Sequence, residues 1–107
     1  MVFFDKEIEL KDLGAGVSRK VKAHGGKLLM AEVHFEKGAV GALHTHPHEQ
    51  LCYVLEGTFE YECEGKKTVI SKGDSYYAEP NALHGVVAQT EGILLDIFTP
   101  QREDFLE

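Results

Sequence analysis

The sequence predicts an all-β fold, one domain over residues 1–107 built as a small barrel or jelly roll. Three observations lead there. Short runs alternate apolar and polar side chains, 11 glycines punctuate those runs, and no stretch has the apolar repeat of a long helix. In chain order, the first alternating run is 17–23, with Val17, Arg19, Val21 and Ala23 opposed to Ser18, Lys20 and Lys22. The second is 28–35, with Leu29, Ala31, Val33 and Phe35 on one face. Residues 50–55 are apolar on both faces, as in a central strand of a two-layer structure, so Tyr53 is read as core, as is Met30. Residues 58–64 set Phe59, Tyr61 and Cys63 against Glu60, Glu62 and Glu64, which marks one buried and one solvated face. The run Glu64-Gly65-Lys66-Lys67 is a hairpin turn. Residues 68–71, 75–79, 85–89 and 93–99 complete a set of eight or nine short strands, and residues 102–106 are read as a single turn.

The totals narrow the function. A chain of 107 residues with 43% hydrophobic residues fits one domain with a modest core. A net charge of −7 argues against a nucleic-acid or anionic-membrane partner, which rewards clustered Lys and Arg. It also repels a small anion, so an anionic substrate requires a local cation. No segment has the apolar length of a bilayer span, and Met1–Glu7 lacks the pattern of a signal peptide. A soluble, cytoplasmic protein is expected. Cys52 and Cys63 make no metal-knuckle spacing and read as reduced thiols, although Cys52 shares strand parity with Gln50.

The chemistry-bearing run is Gly38-Ala-Val-Gly-Ala-Leu-His44-Thr-His46-Pro-His-Glu-Gln50. A strand sends alternate side chains to one face, so His44 and His46 can hold a single metal ion if this stretch is extended. On a helix the two rings diverge. Gln50 is a third candidate ligand. A second patch, Gly73 to His84, brings another histidine after a Gly-Asp turn and a Pro-Asn turn. His24 and His34 read as ordinary surface or strand residues.

These two patches resemble the paired motifs of the cupin superfamily. The first motif is matched by Gly38, His44, His46, Gln50 and Gly57, the second by Gly73 and His84. The resemblance implies a double-stranded β-helix, the cupin jelly-roll barrel, with His44, His46, Gln50 and His84 as metal ligands. His48 and Glu49 lie between them, and the phase of the motif favours Gln50 over Glu49. Glu79 stands in place of a motif proline, with Pro80 one residue later. Asn81 replaces a glycine, and asparagine is the next best residue for a left-handed turn. Ala88 stands in place of an asparagine. None of these departures removes a ligand. A neutral amide at residue 50 leaves the charge of the ion uncompensated and its Lewis acidity high. The expected cofactor is a divalent transition metal (Zn, Ni, Fe or Mn), a donor set that also suits Cu.

The likeness sharpens over Gly16–Val21, Phe35–Val40, His44–Gln50 and Leu95–Phe105, which resemble the small pectin-degradation cupins of the KdgF type. That resemblance implies linearisation of 4,5-unsaturated monouronates, released from pectate or alginate, to the open-chain 5-keto-4-deoxyuronate. It also implies functional roles for Asp96, Phe98 and Arg102. Asp96 and Phe98 are two apart and share a strand face, and a carboxyl group among Ile93, Leu94, Leu95 and Ile97 needs a job or a partner. Asp96 would move protons, Arg102 would take the carboxylate of a small sugar acid, and Phe98 would stack on the unsaturated ring. The direction of Arg19 is left open. Small cupins pair or exchange edge strands, so a homodimer is expected. Two other readings of the same site are a dioxygenase-like cupin enzyme and a non-enzymatic sugar-acid or metal-binding module.

Overall fold

The computed structural model describes residues 1–107. Ten strands follow in order: β1 (Lys11–Gly14), β2 (Val17–Gly25), β3 (Leu28–Phe35), β4 (Val40–His44), β5 (Glu49–Glu56), β6 (Thr58–Cys63), β7 (Lys66–Ser71), β8 (Ser75–Ala78), β9 (His84–Ala88) and β10 (Gly92–Thr99). The only helical pieces are 3₁₀ turns at Asp5–Glu7 and Glu103–Phe105, so the expected C-terminal turn is present. Two antiparallel sheets face each other, a six-stranded one ordered β1-β2-β3-β10-β5-β8 and a four-stranded one ordered β4-β9-β6-β7. This is the all-β double-stranded β-helix that the sequence predicts.

The alternating runs become strands because each can bury one face. On β3, Leu29, Ala31 and Phe35 are buried while Leu28 is exposed. On β10 the alternation is strict: Leu94, Asp96 and Phe98 point inward. The hairpin between β6 and β7 turns through Glu64 and Gly65, whose φ values of 49° and 81° suit a two-residue turn with both centres left-handed. Phe35, Val54, Phe59, Tyr61, Val86 and Leu94 form the main core between the sheets, with the Phe35 and Phe59 rings edge to face at 5.2 Å. Each fully buried side chain of this size contributes ~1.5–3 kcal/mol. Leu29, Ala31 and Phe98 form a smaller second cluster, joined by Val21 and Phe105.

Three expectations need correction, the first being Met30, which is half-buried on the face of β3 opposite Leu29 and Ala31 rather than in the core. Tyr53 is not core but 45% exposed: both faces of β5 are apolar, yet only the Cys52 and Val54 face meets the other sheet. Ala23 does not share a face with Val21. Val21 pairs with Ala31 and Ala23 with Met30, so a bulge at Lys22 shifts the alternation by one. The strand β1 lacks an apolar alternation, so no periodicity marks it in the sequence. It forms by pairing with β2 and buries none of its residues.

Candidate metal centre

His44 closes β4 and His84 opens β9, and the two face each other directly in the β4–β9 pairing. His46 lies two residues past β4, in irregular chain that bends back into β5, and Gln50 is the second residue of β5. The ring centroids of the three histidines stand 4.8–5.2 Å apart, and one ligand atom from each lies within 4.8 Å of the others. His46, Gln50 and His84 are buried, while His44 stands at the opening.

Backbone carbonyls set the direction of every ring. The Nδ1 of His44 meets the Ala42 carbonyl at 2.8 Å, that of His46 the His48 carbonyl at 3.0 Å, and that of His84 the Ala82 carbonyl at 2.9 Å. A carbonyl only accepts, so each Nδ1 carries the proton and each Nε2 presents a lone pair. The amide of Gln50 is fixed by the same logic. Its Nε2 donates to Asp96 Oδ1 at 3.0 Å and to the Tyr76 hydroxyl at 3.3 Å, which turns Oε1 toward the histidines. That Oε1 lies 3.0 Å from His46 Nε2 and 3.1 Å from His84 Nε2. Acceptors therefore converge on one point with no hydrogen between them. A cation resolves that clash, and three imidazoles with one oxygen fit a divalent metal. Burial pushes the pKa of His46 down to about 4 and that of His84 below the ordinary histidine value, which keeps both neutral as ligands must be.

Asp96, on the inward face of β10, is 9% exposed, and burial raises its pKa to about 6. Phe98 is 2% exposed, edge-on to His46 at 5.6 Å and to Phe105 at 5.5 Å. Arg102 lies just past β10, with its guanidinium carbon 5.0 Å from the Phe98 ring centre and 4.2 Å from that of Phe105. All seven residues singled out by the sequence thus gather at one end of the barrel, and six of them line a cavity of about 210 Å³ with Tyr76 and Arg19. A pocket of this size admits one sugar ring rather than a polymer. A larger groove of about 840 Å³ lies at the opposite end of β10, lined by Asp12, Glu36, Glu56 and Glu91, and includes none of His44, His46 and His84.

The neighbours that sequence could confuse with ligands point elsewhere. Glu49 accepts a hydrogen bond from the Tyr77 hydroxyl on the outer face. His48 bonds through Nε2 to the Gln101 carbonyl at 3.1 Å, tethering the C-terminal segment near the site. His34 pairs with Glu32 and His24 packs on Phe3. Cys52 is buried beside Asp96 and outside the histidine cluster. Sequence reasoning missed Tyr76. Alternation within Ser75-Tyr76-Tyr77-Ala78 requires one tyrosine inside, but only the register of β8 on β5, with Tyr76 opposite Cys52, decides which.

A cupin domain model matches residues 31–98. The pectin degradation protein KdgF of Dickeya dadantii is 45% identical over 106 residues, covering 97% of this chain and 96% of that protein. Among solved structures, an RmlC-like cupin from Shewanella frigidimarina superposes with a TM-score of 0.94 at 39% identity, covering 97% of this chain and 94% of the other. KdgF from a Halomonas species gives a TM-score of 0.92 at 39% identity, covering 97% and 98%.

Proposed function

The chain belongs to the cupin family, within its pectin-degradation KdgF type, and from that premise we propose that it linearises 4,5-unsaturated monouronates to 5-keto-4-deoxyuronate. The observation that carries this reading is the contact between the metal-ligand set and a proton carrier: Gln50 touches His46 and His84 through its oxygen and Asp96 through its nitrogen. The proposed ligands are His44, His46, Gln50 and His84, and the proposed catalytic residues are Asp96, Phe98 and Arg102.

The substrate is a cyclic enol ether with a hemiacetal at carbon 1. Opening requires loss of the hydroxyl proton at carbon 1 and cleavage of its bond to the ring oxygen. That leaves an aldehyde and an enolate, which becomes the ketone when carbon 4 gains a proton. The process is an isomerisation with no net proton change, so a single carboxyl group that receives one proton and returns another suffices. Asp96 suits this role because a pKa near 6 lets it hold or release a proton close to neutrality. A bound divalent ion (Zn, Ni, Fe or Mn) supplies Lewis acidity that stabilises negative charge on an oxygen in the cavity. Arg102 attracts the substrate carboxylate at the mouth, answering the −7 charge of the chain with a local cation. Phe98 offers an apolar wall beside His46 and limits water around the enolate.

The decisive assay follows loss of the ring-alkene absorbance of freshly made unsaturated galacturonate. The wild-type protein accelerates the loss, and Asp96→Ala and His46→Ala each abolish the acceleration. Retention of the full rate by both variants overturns the assignment. Full turnover with zinc as the bound ion excludes oxygenase chemistry, which needs a redox-active metal.

A further inference from the structure

Arg102 is the cation that the sequence singles out for an anionic substrate, but much of its guanidinium is already engaged. Its Nε and Nη2 donate to the two carboxylate oxygens of Asp104 at 3.1 and 3.0 Å. A second arginine is not so held. Arg19, on β2, pairs in register with Val33, between Val17 opposite Phe35 and Val21 opposite Ala31, so it occupies an inward position. It lines the same cavity as His44, Gln50, Asp96 and Arg102.

Arg19 is partly buried and forms no ion pair or side-chain hydrogen bond. Its guanidinium carbon sits 3.7 Å from the centre of the Phe105 ring, which Arg102 also approaches at 4.2 Å. Stacking on a ring covers the face of a guanidinium and satisfies none of its N–H donors. Burial lowers the pKa of Arg19, with Asp104 opposing that effect and the charge of Arg102 adding to it. Two like charges are therefore held around one aromatic ring, beside a cavity, with the donors of one of them unspent. Asp104 balances the charge of Arg102, so the N–H donors of Arg19 are the ones left for a second anion to take.

We propose that Arg19 is the carboxylate anchor of the cavity, taking the acid group of the sugar through paired N–H bonds while Arg102, braced by Asp104, flanks the same anion. The identity of the substrate rests on the function proposed above, whereas the choice of an acid over a neutral sugar rests chiefly on Arg19, with Arg102 adding to it. Arg19 is then a specificity-determining residue, brought to the site from a strand that supplies no metal ligand.

The test measures binding of D-galacturonate, a saturated acid that cannot undergo the reaction, and of D-galactose, its neutral counterpart. Calorimetry is run on metal-loaded wild-type protein, R19M and R19K. Wild type is expected to prefer the acid by about 10- to 100-fold, the worth of a charged hydrogen-bonding pair. R19M loses most of that preference while still binding galactose, and R19K restores part of it. A purely structural Arg19 weakens both sugars alike and leaves their ratio intact, which overturns the proposal, as does a wild-type protein with no preference for the acid. Turnover of unsaturated galacturonate by wild type is measured alongside. No acceleration there, with the acid preference lost in R19M, rejects the reaction and keeps the anchor. Acceleration with the preference intact in R19M does the reverse.

Discussion

Gln50 illustrates how one side chain serves two neighbours. Its oxygen faces the histidines, and its nitrogen donates to Asp96 and Tyr76. A glutamate has the same reach but no donor, and it would set a second carboxylate where an amide now lies 3.0 Å from Asp96. Like charges at that separation cannot both persist in a buried site. Gln50→Glu is expected to retain the metal, because a carboxylate is the stronger ligand. It is expected to slow ring opening by roughly 10- to 100-fold, because Asp96 loses its orienting partner. Metal content and initial rate measured on one preparation check this, and unchanged values of both would show that the amide is dispensable. The sequence made residue 50 legible as a ligand, but not as a link to Asp96. The two are 46 residues apart and meet only because β5 and β10 are neighbours.

The histidine cluster also depends on how closely two strands of the small sheet approach. Gly85 follows His84 on β9, and a Cβ there would stand 2.6 Å from the Gly41 carbonyl oxygen and 2.9 Å from the Leu43 nitrogen. Both are backbone atoms of β4, so the strand itself would have to move, and His44 rides on that strand. Gly85→Ala is expected to cost about 1–3 kcal/mol, lowering the melting temperature by roughly 4–8 °C per kcal/mol, and to reduce metal content as His44 and His84 separate. Calorimetry and metal analysis read the two effects, and a variant with native stability and full metal would refute the close-approach argument. Strands with one buried face were legible because alternation is a local property, as in β3, β6 and β10. The bulge at Lys22 and the strand β1 were not, because each exists only by virtue of what β2 pairs with. At the turn before His84, Asn81 adopts φ 66°, the left-handed conformation its place in the motif demanded.

Taken whole, the molecule leaves the β5–β8 part of the outer face of its large sheet uncovered, while Asp5 of the N-terminal segment lies over Lys20 and Lys22 of β2. Leu51 pairs with Ile97 on one side and Tyr77 on the other, and Tyr53 pairs with Leu95 and Ser75. Leu51, Tyr53 and Tyr77 are 53%, 45% and 51% exposed. Adjacent exposed apolar side chains of this kind mark interaction surfaces. The family resemblance implies a homodimer through edge strands, whereas these exposed side chains favour one packed through sheet faces. Sedimentation is expected to give about twice the 11.9 kDa chain mass for wild type and a single chain mass for a Leu51→Glu, Tyr53→Glu variant that still holds its metal. A monomeric wild type refutes the dimer, and a variant that stays dimeric refutes this face. No helix of the structure is long and apolar enough to cross a membrane.

By itself the sequence determined the β-class, the inward faces of most strands and the identity of the metal-ligand candidates. Periodicity and motif spacing are written in consecutive residues, and each strand can be read without its neighbours. Only the tertiary structure decided which of the two tyrosines orients Gln50, that Tyr53 faces solvent, that Asp104 occupies Arg102 and that Arg19 reaches the cavity. Most of these facts turn on which segments of chain meet and in what register, a property set by the packing of two sheets against one core rather than by any single stretch of residues.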